Sequence, residues 1–212
     1  MIKRTLGTAA IIAALVAPIA ANAQEAVISA NAGWLSEYYF RGLPQKTSSA
    51  NLGLDVELGG LYIGTWAGDV EVGTEVDLYG GYVRQMGKAY VGLGGTGYFY
   101  TDEAFDDTYM EMNLTAGYGP LGAELSVGQW GNAKGDPLDY WFFAFMAEHA
   151  GFSGAIGTFG SGFEGTYVSA GYGFEAAGLD LDVSAIWSDA TLLGSESTLR
   201  LVFGVSRTFS IR

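Results

Sequence analysis

From Gln24 onward, apolar and polar residues alternate with period two, in segments of about ten residues separated by Gly-rich or polar breaks. Leu52, Leu54, Val56 and Leu58 share one face, against Asn51, Gly53, Asp55 and Glu57. Val76, Leu78, Gly80 and Tyr82 oppose Glu75, Asp77, Tyr79 and Gly81 in the same way. Met110 to Tyr118, Leu179 to Trp187 and Leu199 to Phe209 repeat the pattern. One face of each segment therefore suits hydrocarbon, and the other, carrying Gly, Tyr, Ser and carboxylates, suits water or hydrogen-bonding partners. A soluble β-sandwich alternates too. The length of the segments, the aromatic clusters near their ends (Trp34 to Phe40, Tyr98 to Tyr100, Tyr140 to Phe142) and the alternating final segment favour lipid as the apolar solvent.

The segments predict an all-β fold, a transmembrane antiparallel up-and-down β-barrel of about twelve strands, with ten as the smaller alternative because the join at His149 to Gly151 is weakly marked. The connections alternate in character. Gly59-Gly60, Gln85 to Gly87, Gly119-Pro120 and Ala176-Ala177 read as tight periplasmic turns, whereas Arg41 to Thr47, Thr101 to Asp106, Gly131 to Pro137 and Ala190 to Glu196 read as longer outer loops. Residues 24–212 form one barrel domain with no internal linker.

The first 23 residues have the layout of an export signal: Lys3 and Arg4, an apolar stretch from Leu6 to Ala17, and Ala21-Asn22-Ala23 before a cleavage site between Ala23 and Gln24. The apolar stretch is too short to span a bilayer, for which about 20 residues are needed. Composition narrows the chemistry further. The chain has no Cys and one His, which excludes thiolate metal sites, disulfides and most imidazole chemistry, and no cofactor or metal is expected. Its net charge of −13, more negative once Lys3 and Arg4 are removed, argues against nucleic-acid binding. The 33 glycines argue against a helical fold.

The stretches GWLSEYYFRGLPQ (33–45), GLDVELGGLYIGTWAGDV (53–70), EVDLYGGY (75–82) and VSRTF (205–209) resemble the TorF-type porin family of proteobacterial exported proteins. The likeness covers most of the mature chain. It implies an outer-membrane β-barrel with a pore role in the Gram-negative cell envelope, and it implies no substrate or functional residue. This chain departs from the usual aromatic terminus by ending in Ser210-Ile211-Arg212, so recognition by the barrel-assembly machinery would be weaker or would use Ile211.

On the polar faces, the candidate lumen-lining residues are Glu37, Asp55, Glu57, Glu75, Asp77, Glu111, Glu124, Glu175, Asp180 and Asp182, with Arg41, Arg84 and Arg200 as cations. Such an acid excess points to a narrow, cation-preferring passage for small solutes if the lumen is hydrated. The alternative is a plug in which these acids interlock with Tyr79, Tyr90, Tyr98, Tyr109 and Tyr167. Lumenal glycines (Gly53, Gly81, Gly92, Gly94, Gly117 and Gly171) remove bulk and favour the open case. Arg41 is expected near the outer mouth, either in contact with Glu37 or solvated. Asp102, Glu103, Asp106 and Asp107 form an acidic outer loop whose spacing matches no calcium loop. His149 with Ser153 is the one arrangement that offers an outer-membrane hydrolase, and no nucleophile-elbow, zinc-protease or phosphate-loop motif supports it. The chain is thus expected to be a monomeric porin rather than an enzyme. Its expected partners are outer-membrane lipid, small solutes and, during biogenesis, periplasmic chaperones and the assembly machinery. A closed barrel with a structural or surface-interaction role is the other reading.

Overall fold

The computed structural model describes residues 25–102, 108–132 and 134–211. The expected export signal and cleavage site, with Glu103, Asp106, Asp107 and Arg212, lie outside the described residues.

Twelve antiparallel strands close on themselves: β1 (Val27–Phe40), β2 (Leu43–Leu58), β3 (Leu61–Asp69), β4 (Thr74–Met86), β5 (Ala89–Tyr100), β6 (Tyr109–Tyr118), β7 (Leu121–Trp130), β8 (Leu138–His149), β9 (Phe152–Ser161), β10 (Gly165–Ala176), β11 (Leu179–Ser188) and β12 (Thr198–Ser210). Each strand pairs with its sequence neighbours, and β1 pairs with β12 from Ser29↔Ser210 to Leu35↔Gly204, which closes the barrel wall. Ile211 extends this seam by donating its N–H to the Ile28 carbonyl at 2.8 Å.

Both described ends of the chain and the short turns lie at one end of the barrel, the turn end. At Gly59-Gly60 both residues have positive φ, the two-residue geometry whose twist matches that of the strands. The opposite, loop end carries the longer connections, including a one-turn helix, α1 (Ala190–Leu193). Asp189 caps α1 by accepting the Leu192 N–H at 2.7 Å, and Gly194 ends it in the left-handed region.

The alternation sorts the side chains as the sequence requires. Leu52, Ile63, Leu93, Met112, Leu114, Leu125, Ile156, Leu201 and Phe203 form an exposed apolar exterior around the whole barrel. A patch of that size on every strand is the surface of a protein whose outer solvent is lipid. Inside, the buried apolar residues gather towards the loop end. One group is Tyr140, Phe142, Ala144, Ala155, Phe159, Tyr167 and Leu192, and the other is Leu35, Tyr38 and Val70. The barrel is therefore packed at the loop end, while lumenal residues near the turn end, such as Asp55, Glu57 and Tyr62, are only half-buried.

The glycines have a different role from the one expected. A Cβ at Gly117 would run into the Tyr90 ring, and one at Gly94 into the Tyr62 hydroxyl. These positions make room for inward tyrosines rather than leaving open space.

Candidate functional site

Where the ladder between β1 and β12 ends at Leu35, the first hairpin leaves the barrel wall. β3 joins β2 only from Asn51, so residues 36–48 pair only among themselves, Ser49 and Ala50 pair with Leu35 and Trp34, and residues 36–50 have no ladder to β12 or β3. The departure is well supported. Ser36 Oγ accepts the Phe203 N–H that the ladder would otherwise have satisfied, at 2.9 Å, and Trp34 Nε1 donates to Ser48 Oγ at 3.0 Å. A register shift between Tyr38 and Tyr39, and a positive φ of 59° at Ser48, kink the hairpin inward. The sequence gives the reason: Leu35, Tyr38 and Tyr39 put large groups on both faces, and all three are buried. Such a ribbon fits neither lipid nor water on either side, so it packs inside the barrel.

The hairpin ends in the two-residue turn Arg41-Gly42, with φ of 47° and 82°, where a longer polar outer loop was expected. Its tip reaches the far wall. Ser188 Oγ donates to the Gly42 carbonyl at 2.6 Å, and a Cβ on Gly42 would collide with Tyr167. Its base is tied to the loop after β3, with Glu71 N–H to the Gln45 carbonyl at 3.0 Å and Ser49 Oγ to the Asp69 carbonyl at 2.8 Å. Lys46 adds a half-exposed ion pair with Asp69 at 3.8 Å, worth little on its own.

Arg41 is the anchor. Nη1 donates to Glu111 Oε1 at 2.6 Å, and Nη2 donates to Glu111 Oε2 at 3.0 Å, Glu124 Oε1 at 2.9 Å and Ser126 Oγ at 3.2 Å. The guanidinium lies over the Phe142 ring, 4.1 Å from its centroid. Glu111 further accepts from Tyr140 at 2.8 Å, Tyr98 at 3.1 Å and Asn113 at 3.0 Å, and Ser126 donates to Glu124 at 2.8 Å. Planar bidentate pairing, full hydrogen bonding and burial are the conditions under which an ion pair holds one geometry. The first hairpin is thus latched across the lumen onto β6 and β7.

The other predicted residues fall into place around this latch. Glu75 and Asp77 are fully buried below the hairpin, and Tyr38 donates to Glu75 Oε1 at 3.0 Å. Asp55 accepts from Tyr79 at 2.6 Å, with Glu57 beside it, towards the turn end. Asp182 is buried under the wall at Gly204, whereas Glu175 and Asp180 face each other across β10 and β11 near the turn-end mouth. Glu37 is half-buried on the hairpin, and Tyr39 lies close to both Glu37 and Arg200 at the loop end.

Two expectations are corrected. Arg41 pairs with Glu111 and Glu124 deep in the barrel, instead of with Glu37 or solvent at the mouth. Arg84 is on the outer face: it is exposed, in step with Tyr82 and Met86, while Val83 between them is buried. Three residues before the turn at Gly87, its stem can lie along lipid while its head reaches the interface. His149 and Ser153 do not meet. His149 pairs with Phe152 and Ser153 with Glu148, so the two side chains leave opposite faces of the sheet.

Residues 20–140 match the model of a bacterial family described as "Bacterial protein of unknown function (Gcw_chp)". The chain belongs to that family. The matched region includes the hairpin, Arg41 and both of its glutamate partners. No curated protein matches the sequence. Among solved structures, the KdgM porin is similar in fold, with a TM-score of 0.57 over 86% of this chain and 99% of that one, at 9% identity. An outer membrane channel from Pseudomonas putida is similar too, with a TM-score of 0.52 over 92% of this chain and 100% of that one, at 12% identity. At such identities the shared property is the closed antiparallel barrel fold itself.

Proposed function

We propose that this family member is an outer-membrane porin for small solutes, with the turn end in the periplasm and the inward hairpin as its constriction. The observation that carries the reading is the hairpin of residues 36–50, folded into the lumen and latched by Arg41 to Glu111 and Glu124. A barrel of twelve strands lies between those filled by side chains alone, at about eight, and the wide channels of sixteen to eighteen. An internal segment then sets the bore. The motifs shared with TorF-type porins support the same role.

The passage is cation-preferring on this reading. Towards the turn end, Asp55, Glu57, Glu175, Asp180 and Asp182 line the lumen face, and in the centre Arg41 stands against four acids, Glu75, Asp77, Glu111 and Glu124. Rings of carboxylates favour cations by raising their local concentration. Recording the refolded mature chain in planar bilayers under a salt gradient tests both points. Discrete conductance steps with a reversal potential towards the cation side are expected, and an anion-side potential refutes the selectivity.

The packed loop end favours a second reading, a closed barrel with a structural or surface role. Tyr38, Tyr98, Tyr140, Phe142, Phe159 and Tyr167 fill the interior there. That protein would refold with heat-modifiable mobility and show no conductance.

A further inference from the structure

Asp77 is the least explained side chain in the barrel. It is fully buried on the inward face of β4, and neither carboxylate oxygen has a hydrogen-bond partner. A carboxylate kept dry without a counter-charge is among the most expensive arrangements a fold can hold. Nearby bases do not answer it. Arg41 is bonded to Glu111, Glu124 and Ser126, Lys46 pairs with Asp69, and Arg200 is exposed at the loop end. Glu75, on the same face two residues away, adds a second acid, of which one oxygen is taken by Tyr38.

The surroundings specify what could supply the missing charge. Asp77 stands directly opposite Trp66 on β3 and Tyr98 on β5, and Tyr38 packs against Trp66 with ring centroids 5.3 Å apart. Directly opposed residues have Cβ atoms about 4.5–5.5 Å apart, so an aromatic residue stands on either side of Asp77, and the Trp66 ring reaches over Gly68, the residue opposite Glu75. We propose that Asp77, with Glu75, binds a weakly hydrated monovalent cation of the potassium or ammonium class, occluded between these rings and covered by the hairpin. Carboxylate oxygens supply the charge, and aromatic faces replace part of a loosely held water shell. A magnesium ion demands octahedral oxygen ligands and gives up its waters reluctantly, so this wall of rings does not suit it. The site depends on the fold and is independent of whether the barrel conducts.

The test uses the mature chain refolded in detergent, in rubidium chloride or in N-methylglucamine chloride at equal ionic strength, with rubidium as the potassium surrogate. After desalting, one rubidium per chain is expected in the first sample. Urea unfolding is expected to favour the folded state in rubidium, by about 100-fold where the ion stands at a hundred times its Kd. Asp77→Asn abolishes both the bound ion and the salt difference, whereas Asp136→Asn, in the exposed loop before β8, leaves both intact. No retained rubidium, with wild-type stability the same in the two salts, overturns the site and leaves protons as the neutralising charge. Rubidium that survives Asp77→Asn places the ion elsewhere and overturns it too. If Asp77→Asn does not refold, the wild-type rubidium count decides alone. Because no conductance is read, loss of the porin reading would leave this result untouched.

Discussion

Replacing Arg41 by Asn separates the latch from the turn it occupies. Arg41 and Gly42 both have positive φ, and Asn-Gly is the preferred pair for such a two-residue turn, so Arg41→Asn retains or improves the local hairpin. What it removes is the guanidinium that bridges Glu111 and Glu124, leaving two buried carboxylates facing each other without a counter-charge. Breaking a buried pair from one side costs about 3–5 kcal/mol. At about 1.4 kcal/mol per decade, the balance between docked and undocked hairpin shifts by roughly two to four decades. Amide hydrogen exchange reads that balance directly, because the hairpin amides exchange through local opening while the wall amides exchange through rarer events. Protection is expected to fall by that factor over residues 37–47 and to be unchanged in β8 to β11. Combining Arg41→Asn with Glu111→Gln and Glu124→Gln should recover much of the loss, since neutral amides need no counter-charge. Equal protection in wild type and Arg41→Asn would refute the latch.

Two further outcomes follow from the same geometry. Gly42→Ala forces a side chain into the left-handed region and against Tyr167, and is expected to undock the tip at a cost of at least about 1–3 kcal/mol, seen as the same local loss of exchange protection. On the exterior, Leu114→Arg near the middle of β6 should lower the stability of the vesicle-inserted barrel by about 2–4 kcal/mol in urea titrations, whereas Arg84→Ala, close to the turn-end rim, should change it by less than about 1 kcal/mol; equal effects would contradict a lipid-facing exterior.

The barrel was legible because lipid and lumen impose opposite demands on alternate residues. Segments such as Met110 to Tyr118, where Met and Leu alternate with Glu, Asn and Thr, state both environments at once. Twelve strands and the tight turns follow from that repetition. The hairpin was not legible in the same way, because Leu35, Tyr38, Tyr39 and Arg41 are packed against protein while Pro44, Thr47 and Ser48 stay exposed, which leaves no regular two-solvent alternation. The usable signal was Tyr38-Tyr39-Phe40, a run that puts bulk on both faces just before a positively charged turn. The inward parity of Glu111 and Glu124 could be read from their own strands, but their union with Arg41 depends on a long-range fold of the hairpin that no local spacing encodes. At Arg84 charge and parity point opposite ways: its position matches the outward face marked by Tyr82, two residues earlier, while its charge suits the lumen.

The most direct test of the constriction is to remove it. Replacing residues 36–48 by Asn-Gly closes Leu35 onto Ser49, a pair already opposite in register, and leaves the twelve-strand wall intact. With refolding checked by heat-modifiable mobility, single-channel recordings should show a conductance several-fold above wild type and a weaker preference between ions. An unchanged conductance in the correctly folded variant would contradict the assignment of this hairpin as the element that sets the bore.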